Sequence, residues 1–138
     1  MILRGEILIE GSGVEAEAMA LTAPISFWGG VNPKTGEIAD VRHPEFGQCI
    51  SGRAVLIPST IGSSSAAAVL LELVHAGRAP AAIVLHEPDA ILLLGLIVAR
   101  EMGLATPIAI RLDASNYPAL HGRTIAVSSD GAVSYSVH

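Results

Sequence analysis

Residues 54–110 read AVLIPSTIGSSSAAAVLLELVHAGRAPAAIVLHEPDAILLLGLIVAREMGLATPIAI, and this stretch decides the fold. Residues 54–57 form a short, wholly apolar run of strand type. Residues 63–76 place Val69, Leu70, Leu73 and Val74 on one helical face, and Gly77 is a natural C-terminal stop. Residues 81–85 are a second buried strand. Asp89 is a good N-cap for a helix that runs to Met102 and ends at Gly103, and residues 108–110 are a third strand. Strand–helix–strand–helix–strand implies parallel pairing through right-handed crossovers.

Outward from this unit, both ends of the chain read as antiparallel. Residues 2–9 are rich in aliphatic and β-branched side chains. Residues 14–21 alternate, with Glu15 and Glu17 opposite Ala16 and Ala18. Gly11-Ser12-Gly13 between them predicts a turn, and pairing across it predicts a hairpin. Residues 124–127 and 133–137 predict a second hairpin around Asp130-Gly131. Residues 22–52 lose all periodicity and carry Pro24, Gly29, Gly30, Pro33, Gly36, Pro44, Gly47 and Gly52. A loop of this length inside a compact domain is usually functional. Ile25, Phe27, Trp28, Val31 and Phe46 are its candidate apolar anchors. The expected architecture is a single α/β domain over 1–138, three-layered or barrel-like (β/β/α), with a central βαβαβ unit and flanking antiparallel strands.

The composition narrows the function classes. The chain has 138 residues, 51% hydrophobic and 15% charged, with a mean hydropathy of +0.55. That excludes a disordered chain. A net charge of −5 argues against nucleic acid or an anionic membrane as the main partner. The longest apolar run, 90–99, is too short to cross a bilayer, which takes roughly 20 residues. Residues 1–11 contain Arg4, Glu6 and Glu10 and lack the layout of a secretory leader. One cysteine, Cys49, excludes an internal disulfide framework and suits a cytoplasmic chain. It is read as a small buried hydrophobe. No self-contained ligand set for zinc or an iron–sulfur cluster is expected, since such sites want about four ligands.

Several motifs carry chemistry. Residues 11–16 match G-x-G-x-x-A, but a dinucleotide cradle needs a helix to open there, and the alternation that follows favours a plain turn. Gly62-Ser63-Ser64-Ser65 sits between a buried strand and a helix start. The first amides of a helix lack internal partners and carry partial positive charge, so small residues there let an anion approach. A helix cap accounts for one of the three serines, leaving an anion or substrate site as the alternative. Serine is a poor base at neutral pH, so a catalytic one needs activation. Asp40-Val41-Arg42-His43-Pro44 groups titratable side chains, either as a solvated turn or as part of a site. His75, His86, His121 and His138 show no ligand spacing and are read as structural, and the arginines form no run.

Ser26-Phe27-Trp28-Gly29-Gly30-Val31-Asn32-Pro33, Thr35-Gly36, Asp40, His43-Pro44, Pro58 and Gly62-Ser63-Ser64-Ser65 closely resemble the small subunit of the aconitase X family. The likeness extends through Val69-Leu70-Leu71-Glu72 and Ala79-Pro80-Ala81-Ala82-Ile83. It implies a swivelling β/β/α domain that pairs with a large subunit holding an iron–sulfur cluster, the active site lying between them. The family's members are hydro-lyases: one branch dehydrates phosphomevalonate, another cis-3-hydroxy-L-proline. Aconitases use a serine just after a glycine as general base, and the matching residue here is Ser63. Where aconitases place a substrate-binding arginine after the second serine, this chain has Ser65. Thr60 and Ile61 stand where the phosphomevalonate branch tends to carry an arginine, and a phosphate dianion favours an arginine fork.

The resemblance thus implies a cytoplasmic dehydratase subunit, active only with its large partner and itself binding no metal or cofactor. Ser63 would be the base, with Gly62, Ser64, Ser65, Trp28, Gly29, Gly30, Asn32, Asp40 and His43 lining the substrate cleft or the subunit seam. The expected substrate is a small hydroxy acid, cis-3-hydroxy-L-proline, with phosphomevalonate as the alternative. A different class of function, a swivelling carrier or regulatory domain, would need an exposed histidine at a helix start, where this chain has serines.

Overall fold

The computed structural model describes residues 1–136. Val137, expected in the last strand, and His138 lie outside the described residues. The strands are β1 (Ile2–Arg4), β2 (Glu6–Ile9), β3 (Val14–Ala20), β4 (Ala54–Ile57), β5 (Ala82–Leu85), β6 (Ile108–Arg111), β7 (Thr124–Val127) and β8 (Ala132–Ser134). The helical segments are α1 (Phe27–Gly30), α2 (Ser64–His75), α3 (Ala90–Glu101) and α4 (Tyr117–Leu120), with a 3-10 turn at Ala114–Asn116. In α1, Trp28 and Gly29 depart from helical geometry, so it is a kinked turn.

The sheet order is β1-β8-β7-β3-β4-β5-β6-β2. β4, β5 and β6 run parallel, as the central stretch predicts, and β3 joins them, parallel to β4. β7 and β8 form the expected antiparallel pair. The N-terminal hairpin does not form. β2 pairs antiparallel with β6, and β3 pairs with β7 and β4. Its expected turn crosses the structure instead, and a side chain at Gly11 would come within 2.9 Å of the Ile108 backbone. β1 pairs with β8 at one end of the order and β2 with β6 at the other, although only Gly5 separates them. The Gly5 amide donates to Gly131 O at 3.0 Å. The N-terminal strand therefore closes the sheet on itself, and closure removes the exposed edges that an open sheet would leave.

Alternation along the strands divides the core. Ala18, Ala54, Leu56, Ala82, Val84, Ile110 and Ile125 fill the space enclosed by strands. Met19, Val55, Ile57, Ile83 and Leu85 face outward and meet Leu70, Leu73, Leu92 and Leu96 of α2 and α3. This is the β/β/α layering, with helices against one side of a curved sheet. The long loop is ordered by bridges between Val31 and Ile38 and between Glu37 and Cys49. Ile25, Phe27 and Val31 anchor it in the core, but Trp28 and Phe46 do not and are 63% and 53% exposed. Cys49 is half-buried rather than buried, with its thiol on Thr35 O at 3.4 Å.

Candidate active site

The carboxyl ends of β4, β5 and β6 and the starts of α2 and α3 lie along one edge of the sheet. After Ile57 the chain runs alongside residues 25–26: Ile25 N donates to Ser59 O at 3.2 Å, and Ile61 N to Ile25 O at 2.9 Å. Thr60 Oγ1 donates to Asp89 Oδ2 at 2.6 Å, while Asp89 Oδ1 accepts Ile91 N and Leu92 N as the cap of α3. One carboxylate thus ties the serine loop to the second helix.

Ser63 is the last extended residue before α2, with φ −152 and ψ 155. Its hydroxyl makes no capping hydrogen bond to the helix. Its Oγ is shielded from solvent and has no partner within the chain. Leaving a buried hydroxyl unpaired costs on the order of 1–3 kcal/mol, so it calls for a ligand or a function. Gly62 and Ser64 are exposed and Ser65 is half-buried. A methyl group at Gly62 would meet open space, so the absence of a side chain there leaves the approach to Ser63 clear rather than relieving a clash.

The loop residues lie along α2, whose flank the Phe27–Gly30 turn contacts. Trp28, Gly29, Asn32, Lys34, Val69 and Glu72 line an open groove of about 600 Å3. Gly29 has φ +78, a left-handed conformation that a glycine adopts without strain. Gly30 is buried, and its carbonyl accepts Ala39 N at 2.9 Å. Asn32 Oδ1 accepts Lys34 N at 2.9 Å, so its side chain shapes the turn. Ser63 is not among the groove's lining residues, and neither are Asp40 and His43.

Asp40 is exposed and accepts Arg42 N at 2.9 Å. His43 is buried. Its Nδ1 accepts Glu45 N at 3.1 Å, which leaves Nε2 to donate to Ala23 O at 3.2 Å. Glu45 Oε1 lies 3.8 Å from that Nδ1, but the ring is held through the amide rather than by opposite charges. The Glu45 carboxylate accepts Thr22 N at 2.7 Å and Thr22 Oγ1 at 2.8 Å. His43 and Glu45 together pin one end of the long loop to the other.

A further cluster sits where β5 and β6 end. Arg111 Nε donates to His86 O at 3.0 Å, His86 Nδ1 accepts Ala114 N at 2.9 Å, and an Arg111 N–H lies 3.5 Å from Asp113 Oδ2. Hydrogen bonds from the Ser115 amide and hydroxyl, with the nearby Arg111 guanidinium, hold the Asp113 carboxyl below its usual range. Burial pushes the Tyr117 phenol above its usual range, and it donates to Leu112 O at 3.1 Å. By sequence alone His86 reads as structural and Arg111 as scattered. The available signal was their place as the first residue after β5 and the last of β6. Among the described residues, no three His, Cys, Asp or Glu side chains gather to hold a metal.

Residues 2–135 match the family described as the aconitase X swivel domain. The chain belongs to that family. It is 48% identical over 103 residues to the cis-3-hydroxy-L-proline dehydratase of Pseudomonas aeruginosa, covering 74% of this chain and 18% of that protein. The phosphomevalonate dehydratase small subunit of Thermococcus onnurineus is 32% identical over 130 residues, 94% of each chain. That of Methanopyrus kandleri is 41% identical over 85 residues, 62% of this chain and 63% of that one. The crystal structure of Thermococcus kodakaraensis aconitase X in its holo-form superposes with a TM-score of 0.86 at 29% identity, over 99% of both chains. The matched segment is about a fifth of the cis-3-hydroxy-L-proline dehydratases of Pseudomonas aeruginosa and Hypocrea jecorina and 94% of the Thermococcus onnurineus small subunit. No helix among the described residues is long and apolar enough to cross a membrane.

Proposed function

We propose that this chain is the small subunit of a cytoplasmic aconitase-X-type hydro-lyase and supplies Ser63 as the general base. The observation that carries the reading is the Ser63 hydroxyl, shielded and unpartnered beside the uncapped start of α2. A serine alkoxide there is stabilised by the first amides of the helix and by the positive end of its dipole. It would take the proton on the carbon next to the substrate carboxylate. The electrons of that C–H bond form the new C=C bond as the C–O bond on the neighbouring carbon breaks, and the departing hydroxide with the proton taken by Ser63 makes up the water released. Gly62, Ser64 and Ser65 shape the approach, and the loop with Trp28, Gly29, Gly30 and Asn32 forms the wall toward the partner. Asp40 and His43 act by holding that loop. The large subunit would bring the iron–sulfur cluster, whose chemistry is Lewis-acid assistance to the leaving hydroxyl.

Cis-3-hydroxy-L-proline is the favoured substrate. The identity to the bacterial dehydratase supports it, as does the segment before the serines: Thr60 is bonded to Asp89, and Ile61 offers no charge to a phosphate. The test is co-expression with the large subunit encoded beside this chain, followed by dehydration assays on cis-3-hydroxy-L-proline and phosphomevalonate. Activity on the former is expected, and Ser63→Ala should lower kcat by about 10^2–10^4, the usual worth of a general base. Activity on phosphomevalonate alone would transfer the chain to the other branch. Normal turnover by Ser63→Ala would end the base assignment.

A further inference from the structure

α3 carries ten apolar residues before Arg100, and only one side of it is covered. Leu92, Leu93, Leu96 and Ala99 are buried against the sheet. On the other side Ile91, Leu94, Ile97, Val98 and Met102 are between 44% and 57% exposed. A helix that is apolar all round belongs in an interior. Beside this stripe, Ala67, Ala68 and Leu71 of α2 join Leu94, Gly95 and Val98 around a wholly apolar groove of about 240 Å3. Such a hole accepts one aliphatic side chain from a facing surface.

Two observations indicate what covers it. The first is continuity. The stripe begins at Ile91, two residues from Asp89, and Asp89 holds Thr60 of the loop leading to Ser63. Ile61 in that loop is itself 59% exposed. The apolar surface therefore runs from the edge bearing the unpartnered serine along the length of α3. The second is area. Ile91, Leu94, Ile97, Val98 and Met102 are each about half exposed, a stripe smaller than the ~800 Å2 per partner of a standard interface, so it suits one part of a larger seam. Relatives agree with a large neighbour. The matched segment is 18% of the Pseudomonas aeruginosa protein, and others are named small subunits.

We infer that the outer face of α3, with the groove it shares with α2, is the docking surface for the large subunit. Its counterpart is an uncharged apolar patch offering an aliphatic side chain to the groove. This inference rests on the subunit reading given above. It assigns the seam to a helix face rather than to the Trp28 loop alone.

The test is co-purification of the large subunit with a tagged chain carrying Leu94→Glu, Ile97→Lys or both, with Met102→Glu at the far end of the stripe. The altered side chains are exposed, so each variant alone should keep the wild-type circular dichroism and melting temperature. At least a tenfold loss of recovered large subunit is expected for the double variant, while Ser63→Ala co-purifies as wild type. Undiminished recovery with the double variant overturns the surface assignment and leaves the subunit reading intact. Failure of the wild-type chain to bind the large subunit overturns both. A wild-type chain that elutes alone at twice its 14.2 kDa mass, split by Leu94→Glu while large-subunit binding is unchanged, assigns the face to a second copy and overturns the inference.

Discussion

Gly95→Ala sets two effects of opposite sign against each other, and the structure decides between them. Alanine in place of glycine within a helix gains about 1 kcal/mol. Gly95, however, lies where α3 presses on α2. A methyl group there would stand 2.4 Å from Ala67 O and 3.2 Å from Leu70 Cβ. The obstructing atom is backbone in the first turn of α2, so relief requires α2 itself to shift. α2 is fixed by Leu70 and Leu73, which are fully buried. Overpacking of this kind costs typically 1–3 kcal/mol, and more when backbone must move. The net expectation is destabilisation by about 1–2 kcal/mol, a fall in Tm of roughly 3–7 °C for a chain of this size. Urea denaturation followed by circular dichroism measures the change, with Gly62→Ala as a control that meets no neighbour. A Gly95→Ala protein as stable as wild type, or more so, would refute the close α2–α3 contact. It would also weaken the groove built on that contact.

Gly62→Ala should leave stability within about 0.5 kcal/mol, as surface substitutions usually do, yet reduce turnover of the assembled enzyme by narrowing the path to Ser63. Unchanged kcat and KM would remove Gly62 from the site. Asp89→Ala removes the cap of α3 and the tie to Thr60, so it should cost about 1–2 kcal/mol and lower activity beyond what the stability loss explains. Asp89→Asn, which keeps a capping oxygen, should regain most of the stability. Glu45→Ala removes both hydrogen bonds to the exposed Thr22, whose amide water can then reach, so a loss of about 1 kcal/mol is expected in a urea titration. In the β7–β8 turn, hydrogen bonds from Ser128 and the Ala132 amide lower the Asp130 carboxyl from 3.8 to about 2. A carboxyl lowered on folding contributes stability that is complete above 3.8 and disappears as the pH falls through about 2. Part of the acid sensitivity of the melting temperature should therefore vanish in Asp130→Asn, and an identical acid limb in the two proteins would show that the turn contributes nothing.

Much of the fold was legible because it is local. The periods of residues 54–110, the stop at Gly77, the Asp89 cap and the Asp130-Gly131 turn each depend on neighbours a few residues away, and the structure reproduces each. Residues 2–21 read locally as a hairpin, and that hairpin does not form. Pairing of β1 with β8 and β2 with β6 is decided by closure of the sheet, where Gly5 meets Gly131. No pattern within the first twenty residues encodes a partner more than a hundred positions away. Trp28 and Phe46 misled for a related reason, since aromatic character alone does not say which side of a loop faces the core.

The same division runs through the site. Gly62-Ser63-Ser64-Ser65 between a strand and a helix was readable as a place where backbone amides face outward. The burial and isolation of the Ser63 hydroxyl, and the assembly of His86, Arg111 and Asp113 at one sheet edge, were decided only by tertiary structure. Local sequence determines periodicity, caps and turns because these are satisfied by backbone geometry over a few residues. Partner choice between strands, and convergence of side chains from successive crossovers, depend on which distant surfaces are buried together, and that is settled when the whole core packs.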